Sequence, residues 1–370
     1  MSALGIPEKI KAIQDEILRT QLNKATEHHI GLLKAKIAKL KREQEAVQTK
    51  KSAKKSDGFD VKRTGDATVV FIGLPSVGKS TLLNKLTGSK SSVGAFQFTT
   101  VTVVPGVLDY RGARIQMLDL PGIIKGASSG KGLGRRILAV ARSADIVLLV
   151  LDVFQPYHED VLINELANVG IRLNTKPPNI VIEKSTTGGI AVAQQVKLKK
   201  MSIKLLKDIL NVYGYTSARV VIREDIDSDQ LVDFITGNKT YAKAITILNK
   251  IDLVDEKFLK RVTKKLKTDF ISVSADADVN IDKLRDRIYD ELHFIRIYLR
   301  PKGGETDYKE PLIIRDGSTV LDVCNKLHRR LRSEFRYGLA WGKSVKFGGQ
   351  RVGLNHILQD EDVLTIIKRR

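Results

Sequence analysis

The sequence has 370 residues, of which 42% are hydrophobic, and carries a formal net charge of +21 at neutral pH. A chain of this length can form one to three domains with sizeable cores. The charge excess is larger than solubility requires and favours a polyanionic partner such as nucleic acid. Cys324 is the single cysteine, which excludes an intrachain disulfide. No apolar run approaches the ~20 residues that span a bilayer, and no secretory signal is evident, so we expect a cytoplasmic protein.

Residues 1–60 are predicted to form a basic helical hairpin followed by a charged linker. Apolar residues recur at helical spacing over 10–17 and again over 30–40, and the second segment carries a Lys- and Arg-rich face. The run 50–58 has the composition of a linker. The hairpin can be a docking element for RNA or a partner, or an ordinary solvated face packed against the next domain. The pattern favours neither interpretation.

A phosphate-binding motif lies between a predicted buried strand at 67–72 and a predicted helix from about 81. Residues 73–80 follow the pattern G-x-x-x-x-G-K-S. The glycines let successive backbone N–H groups point at an anion, and the helix start adds the positive end of its dipole. We expect Lys79 to reach the β- and γ-phosphates and the Ser80 hydroxyl to bind Mg²⁺. The predicted nucleotide contacts here are Gly73, Pro75, Ser76, Val77, Gly78, Lys79, Ser80 and Thr81.

A second group of residues is predicted to sense the γ-phosphate. Residues 119–122 read Asp-Leu-Pro-Gly at the end of a predicted hairpin strand. Asp119 is expected to bind Mg²⁺, directly or through water, and the Gly122 N–H to touch the γ-phosphate. Thr100, which we prefer to Thr99, is expected to close over Mg²⁺. These contacts vanish on hydrolysis, which makes the group a switch. The predicted catalytic residues are Lys79, Thr100 and Gly122, and the predicted metal ligands are Ser80, Thr100 and Asp119.

Residues 249–252, Asn-Lys-Ile-Asp, are predicted to choose the base. The Asp252 carboxylate can accept hydrogen bonds from guanine N1–H and the N2 amine, which adenine lacks on that edge, so ATP is expected to be rejected. The Lys250 stem can lie over the base, and Asn249 can tie this loop to the phosphate loop. Ser274 and Ala275 are expected to present a backbone N–H to guanine O6.

The rest of the chain is predicted to add two further units. Residues 179–183, 190–194, 203–212 and 219–223 suggest strand, strand, helix and strand, with a hairpin turn at Gly188 and Gly189. From residue 294, strands at 295–299, 312–314, 344–347 and 363–367 and a helix at 320–331, with Ser318 or Thr319 as N-cap, suggest a β-grasp domain. The predicted domains are 1–60, the basic hairpin and linker; 61–171 and 241–293, the two parts of a P-loop α/β domain; 172–240, an inserted α/β unit; and 294–370, the β-grasp.

The nucleotide motifs together resemble those of the translation-factor class of GTPases. Their surroundings, including 98–100 and 119–124, resemble the Obg-related group. The segment 29–36, the insert and the C-terminal module are similar to those of the developmentally regulated GTP-binding proteins. The resemblance covers nearly the whole chain. It implies a eukaryotic, cytosolic, ribosome-associated GTPase of fungal or animal type, with the fungal ribosome-binding member preferred. It also implies an insert resembling the second domain of ribosomal protein S5 and a C-terminal TGS domain.

The resemblance also implies cofactors and partners. It implies GTP or GDP with Mg²⁺, contact with the ribosome and its RNA, and a dedicated stabilising protein of zinc-finger or RWD type, with a monomeric GTPase in the heterodimer. Ile123 stands where many signalling GTPases place a water-orienting glutamine. Relatives with an apolar residue there sometimes use K⁺, often held by an asparagine in the phosphate loop. Here that place is Ser76, but we still hypothesise stimulation by K⁺.

The sequence therefore predicts a Mg²⁺-dependent GTPase acting as a ribosome-associated switch in translation. An alternative is a ribosome- or RNA-binding scaffold in which GTP only orders the switch segments and hydrolysis is negligible. An ATPase is a second rival, which Asp252 disfavours.

Overall fold

The computed structural model describes residues 5–21, 23, 26–52, 65–88, 96–98, 101–120, 140–141, 143–266, 268–328 and 330–369. The chain divides into two compact units. One comprises Met1–Gly58 and Asn174–Tyr241, and the other Phe59–Leu173 and Ala242–Arg370.

The helices of the described residues, numbered along the chain, are α1 (Ile6–Arg19), α2 (Glu27–Ser52), α3 (Lys79–Thr87), α4 (His158–Asn168), α5 (Ile203–Val212), α6 (Ser228–Thr236), α7 (Glu256–Thr263), α8 (Ile281–Glu291), α9 (Val320–Leu327) and α10 (Arg330–Glu334). The strands are β1 (Ala67–Ile72), β2 (Phe96–Phe98), β3 (Val101–Tyr110), β4 (Ala113–Asp119), β5 (Ile146–Asp152), β6 (Ile171–Leu173), β7 (Ile180–Lys184), β8 (Ile190–Gln194), β9 (Ala218–Ile222), β10 (Thr240–Asn249), β11 (Phe270–Ser272), β12 (Phe294–Leu299), β13 (Leu312–Arg315), β14 (Phe335–Trp341), β15 (Gln350–Val352) and β16 (Val363–Lys368).

The larger unit is built on a mixed sheet in the order β11-β10-β5-β1-β4-β3-β2, with β6 paired to β10. The strands from β11 to β4 run parallel, and β3 is antiparallel to β4. Apolar runs such as β1 and β5 suit this sheet because helices cover both of its faces. The carboxyl ends of β1, β4, β5 and β10 consequently meet at one edge.

Two hydrophobic cores lie on the two faces of this sheet. Leu82 and Leu86 of α3 share one core with Leu284 and Ile288 of α8. Leu162 of α4 and Val262 of α7 belong to the other core. The sheet is thereby fixed from both sides, which sets the positions of the loops at its carboxyl edge.

The C-terminal part is a five-stranded β-grasp in the order β13-β12-β16-β14-β15, with β12 parallel to β16. Thr319 caps α9 in a reciprocal capping box with Asp322. The helix predicted at 320–331 is interrupted, because His328 is extended and ends α9. The strand predicted at 344–347 is wrong. That segment is the connection between β14 and β15, which pair antiparallel on either side of it.

The insert has a three-stranded sheet in the order β7-β9-β8. Gly188 and Gly189 do turn the chain, both with positive φ, but the predicted hairpin is wrong because β9 lies between the two strands and pairs with each. Helix α6 was not predicted. The N-terminal helix α2 packs on α5 and α6 of the insert, and its buried Ala35 belongs to the core of the insert.

Two carboxylates at the amino ends of the central strands join the P-loop domain to the β-grasp. The Asp145 carboxylate accepts a hydrogen bond from Thr68 N, near the start of β1, at 2.8 Å. It also forms an ion pair with Arg315. Asp66 accepts from Arg114 N at 2.9 Å and from Lys326 Nζ at 2.6 Å. Each carboxylate thus contacts both parts of this unit.

We expect Asp145→Ala to destabilise the protein by about 1–3 kcal/mol, because it removes the partner of the buried Thr68 N–H and one ion of the pair. Asp145→Asn keeps an acceptor oxygen and should lose less. Thermal unfolding monitored by circular dichroism measures both. Asp109→Ala is the control, since its pair with Arg114 is solvent-exposed and worth little. Equal losses for Asp145→Ala and Asp109→Ala would contradict the assigned role.

Candidate nucleotide-binding site

The loop between β1 and α3 has the close backbone packing that its glycines permit. Gly78 has φ +91°, and a Cβ there would lie 2.4 Å from Nδ2 of Asn249. A Cβ on Gly73 would meet the carbonyl oxygen of Val150 at 2.6 Å. Pro75 and Ser76 are exposed at the tip of the loop, whereas Val77 is buried beneath it. The loop leads directly into α3, whose first residues are Lys79, Ser80 and Thr81.

Lys79, Ser80 and Asp119 form a compact polar group beside this loop. Lys79 Nζ donates to the carbonyl oxygens of Gly73 and Leu74 at 3.2 and 2.8 Å. Ser80 Oγ donates to Asp119 Oδ2 at 2.6 Å. Asp119 ends β4 and is 7% exposed, and its Oδ1 has no hydrogen-bond partner among the described residues. One buried carboxylate oxygen is therefore oriented into the site beside a serine hydroxyl.

Burial shifts both charges of this group toward their neutral forms. It lowers the pKa of Lys79, against the attraction of Asp119. It raises the pKa of Asp119, against the hydrogen bond from Ser80 and the charge of Lys79. A phosphate beside Lys79 and a cation beside Asp119 would each favour the charged form, so the pair suits a metal–polyphosphate ligand.

Asn249 connects the phosphate loop to the loop that follows β11. Its side chain is 2% exposed. Nδ2 donates to the Val77 carbonyl at 2.9 Å, and Oδ1 accepts from Ala275 N at 3.1 Å. The prediction that Asn249 ties its own loop to the phosphate loop therefore has a direct geometric counterpart.

Lys250 lies across the same loop and has a partner that the sequence analysis missed. Its φ is +67°, and Nζ donates to the Ser76 carbonyl at 2.8 Å and to Asp152 Oδ2 at 2.7 Å. The other Asp152 oxygen accepts from Phe154 N at 2.9 Å. Asp152 ends the apolar strand β5 at the carboxyl edge of the sheet, and that position was the available signal.

Asp252 and the Ser274–Ala275 segment lie on adjacent stretches of backbone. Asp252 is exposed in the short turn Ile251–Leu253. Ile251 N of that turn donates to the carbonyl of Val273, the residue before Ser274, at 3.3 Å. Ser274 and Ala275 are both buried. The predicted base-recognition residues are thus joined to the phosphate loop through Asn249 and Lys250.

Two predicted site residues, Thr100 and Gly122, lie outside the described residues, as does Ile123. The remaining predicted residues come from the loop after β1, the first turn of α3, and the carboxyl ends of β4, β10 and β11 with the turns that follow them. Their roles in binding nucleotide stay predictions.

We expect Asn249→Ala to lower the free energy of unfolding by about 2–4 kcal/mol, because it orphans the Val77 carbonyl and the Ala275 N–H. Asn249→Asp keeps the acceptor for Ala275 but loses the donor to Val77, so it should retain part of the stability. Urea unfolding of nucleotide-free protein measures both. Wild-type stability in Asn249→Ala would show that the bridge carries no energy.

Three features define a P-loop GTPase with an appended β-grasp domain. They are the strand order of the sheet, the G-x-x-x-x-G-K-S loop that leads from β1 into α3, and the N-K-x-D segment at the end of β10, which lies two strands from β1 in the sheet. The protein families that match this sequence agree with that class. "50S ribosome-binding GTPase" matches residues 68–184, the C-terminal region of the same domain family matches 187–294, and the TGS domain matches 295–368. The chain belongs to the family of developmentally regulated GTP-binding proteins.

Relatives match over nearly the full length. A GTP-binding protein of Methanocaldococcus jannaschii is 50% identical over 99% of this chain and 94% of its own. The developmentally regulated GTP-binding protein 2 homolog of Dictyostelium discoideum is 45% identical over 99% of this chain and 100% of its own. The developmentally regulated GTP-binding protein 2 of Homo sapiens is 44% identical over the same shares of the two chains. Because an archaeal relative is among them, the narrower expectation of a eukaryotic member stays a prediction. Among solved structures, Aquifex aeolicus Era bound to GDP and AlF4 matches 77% of this chain and 74% of its own with 20% identity, at a TM-score of only 0.32.

Proposed function

We propose that this protein is a Mg²⁺-dependent GTPase that hydrolyses GTP to GDP and phosphate and acts as a ribosome-associated switch in translation. The observation that carries the proposal is the double hydrogen bond of Asn249, to Val77 in the phosphate loop and to Ala275 in the base loop. These bonds join the loop that we propose binds polyphosphate to the loop that we propose selects the base, a link that a bare phosphate site does not require.

In this mechanism water attacks the γ-phosphorus of GTP, the bond from that phosphorus to the β–γ bridging oxygen breaks, and GDP and inorganic phosphate are released. The protein positions the triphosphate and stabilises the charge that develops on it. The backbone amides of the loop and the Lys79 ammonium bind the phosphates and stabilise the charge that develops on the transferred phosphoryl group. Lys250, held by Asp152 and the Ser76 carbonyl, supports the loop from the base side. Asp252 selects guanine.

The residues fit Mg²⁺. Hydroxyl and carboxylate oxygens are the ligands that this hard cation prefers, and Asp119 offers a buried oxygen without a protein partner in the described part of the chain. Ser80 and Asp119 would hold the ion, with Thr100 as the third proposed ligand. When bound, Mg²⁺ neutralises charge on the β- and γ-phosphates.

The proposed partner is the ribosome, together with a stabilising protein of zinc-finger or RWD type. Support comes from the net charge of +21 and the match to a family described as ribosome-binding GTPases. No helix of the described residues is both long and apolar enough to cross a membrane. We propose a cytoplasmic protein that is monomeric apart from its partner.

Single-turnover hydrolysis of bound GTP tests the enzymatic proposal. We expect GDP and phosphate to form above the uncatalysed rate. We also expect faster cleavage in K⁺ than in Na⁺ buffer at equal ionic strength, because a bound K⁺ would add positive charge beside the transferred phosphoryl group at a site that has no water-orienting glutamine. No cleavage above background would favour the GTP-ordered scaffold instead. Cleavage at equal rates in the two salts would refute the K⁺ hypothesis alone.

A further inference from the structure

One carboxylate at the carboxyl edge of the sheet connects three stretches of backbone. Asp152 lies beside Asn249 in the register of β5 and β10. Its Oδ2 accepts a hydrogen bond from Lys250 Nζ at 2.7 Å, and its Oδ1 accepts from Phe154 N at 2.9 Å. The same Lys250 ammonium donates to the Ser76 carbonyl of the phosphate loop at 2.8 Å. The ends of β5 and β10 are therefore tied to the phosphate loop through one ion pair.

The ion pair of Asp152 and Lys250 is largely shielded from water. The two side chains are 15% and 27% exposed, and each Asp152 oxygen has its own donor. Ion pairs on an open surface contribute little because water and salt compete for both charges. Pairs that are shielded and hydrogen-bonded are stronger and keep one geometry. This pair therefore fixes the position of the Lys250 ammonium.

The backbone of Lys250 has a conformation that side-chain contacts must support. Its φ is +67° and its ψ is 34°, in the left-handed region that residues other than glycine rarely adopt. Such a conformation persists where the surrounding contacts determine it. The two bonds of Nζ, to Asp152 and to the Ser76 carbonyl, are such contacts. The protein itself thus holds the lysine stem in place.

We infer that Asp152 is a positioning residue that slows the release of guanine nucleotide by holding the Lys250 stem where it covers the base. The inference rests on the proposed function for the position of the base beside Lys250. A lysine side chain loses much rotational freedom when it is ordered, and a ligand binds more tightly when the protein has already ordered the groups that contact it. Asp152 touches no nucleotide atom in this scheme and acts through Lys250.

Charge alone predicts the opposite effect of this carboxylate. A negative group beside a polyphosphate site repels the ligand, so its removal should slow release if the position of Lys250 were unimportant. If positioning dominates, removal should speed release, because the ammonium loses its fixed partner and the stem can leave the base. The direction of the change in Asp152→Asn therefore separates the two effects.

Release of a fluorescent GDP derivative from the full-length protein tests the inference. Asp152→Asn keeps the side-chain volume and one acceptor oxygen. We expect it to release GDP about 10-fold faster than wild type, the effect of losing one hydrogen bond to a charged group. Asp269→Asn is the matched control, because it makes the same charge change in an exposed pair with Arg287 at the amino end of β11. It should release GDP at the wild-type rate.

A double-mutant cycle shows whether Asp152 acts through Lys250. Lys250→Met keeps an unbranched stem but removes the ammonium group, and it should also release GDP faster than wild type. Adding Asp152→Asn to that variant should change the release rate by less than about 2-fold, because the carboxylate then has no ammonium to position. If the two effects multiply, Asp152 acts by another route and the inference is wrong.

Inorganic pyrophosphate separates positioning over the base from damage to the phosphate loop, because it has no base. In competition with the labelled GDP, its affinity should not fall in Asp152→Asn. Equal losses of GDP and pyrophosphate affinity would overturn the inference, as would a release rate of Asp152→Asn at or below that of wild type. Either result with normal GDP uptake by wild type leaves the proposed function standing. Wild-type protein that takes up no GDP would overturn both.

Discussion

Asp252→Asn is expected to change the preferred nucleotide from GTP to xanthosine triphosphate. Guanine presents N1–H and an N2 amine to the carboxylate, whereas xanthine has a carbonyl at C2 that an asparagine amide can face. A site built around a hydrogen bond discriminates strongly against a ligand that leaves it unpaired, so GTP affinity should fall by about 10²- to 10⁴-fold. Competition with a fluorescent GDP derivative measures affinities for GTP, XTP and ATP.

Asp255→Asn is the matched control, since it makes the same charge change three residues away. Asp255 caps α7 through a hydrogen bond from Phe258 N at 2.7 Å. Asparagine is also a good cap, so that variant should keep the wild-type order of nucleotide affinities. If Asp252→Asn still prefers GTP, or if wild-type protein binds ATP as well as GTP, the assignment of Asp252 to guanine recognition is wrong.

Lys79→Ala is expected to reduce GTP hydrolysis by at least about 10²- to 10³-fold, the loss seen when one preorganised donor to transition-state charge is removed. Lys79 is 8% exposed, and its ammonium group donates to the carbonyls of Gly73 and Leu74 in the phosphate loop. Burial also lowers the pKa of Lys79. Thermal unfolding of the empty variant checks that Lys79→Ala stays folded, because the carbonyls of Gly73 and Leu74 lose their donor. Single-turnover assays at saturating protein separate lost chemistry from lost binding.

Lys85→Ala serves as the control on the same helix. Lys85 pairs with Asp278 on the surface, where an ion pair contributes little, so turnover should stay close to wild type. Normal turnover in Lys79→Ala would overturn the site assignment, and equal losses in both variants would point to general damage to α3.

Much of the fold was predictable because its strands carry unambiguous patterns. The run at 67–72 is apolar except for Thr68, as is typical of a strand covered on both faces, and it was predicted with its observed ends. The helix at 203–212 has a strong apolar stripe and was predicted with its observed ends. These features are local, so the sequence contains them directly.

The errors concern pairing, which is not local. Gly188 and Gly189 have the composition of a hairpin turn, yet β9, contributed from far along the chain, separates the strands they connect. Residues 344–347 carry β-formers, but Gly342, Gly348 and Gly349 around them form the turn. A Cβ on Gly342 would lie 2.2 Å from an Asp362 oxygen, and one on Gly348 would lie 2.7 Å from the Trp341 ring. Neither constraint is visible without the partner residue.

In the candidate site, too, the local motifs were predictable and the contacts between distant residues were not. Sequence spacing predicted the motifs, and the structure brings Asn249, Val77 and Ala275 into contact. Asp152 was missed because a lone aspartate after an apolar run has no motif. Its meaning depends on Lys250, which arrives from another strand.

The packing of α2 on the insert has a consequence for biosynthesis. Ile30 and Leu33 of α2 are buried in the folded chain, and the helices that α2 packs against end at Thr236. At 5–20 residues per second, a ribosome needs on the order of ten seconds or more to translate from the end of α2 to that point. The N-terminal helices therefore leave the exit tunnel well before their partner is made, and their apolar stripe is then a natural substrate for a nascent-chain chaperone.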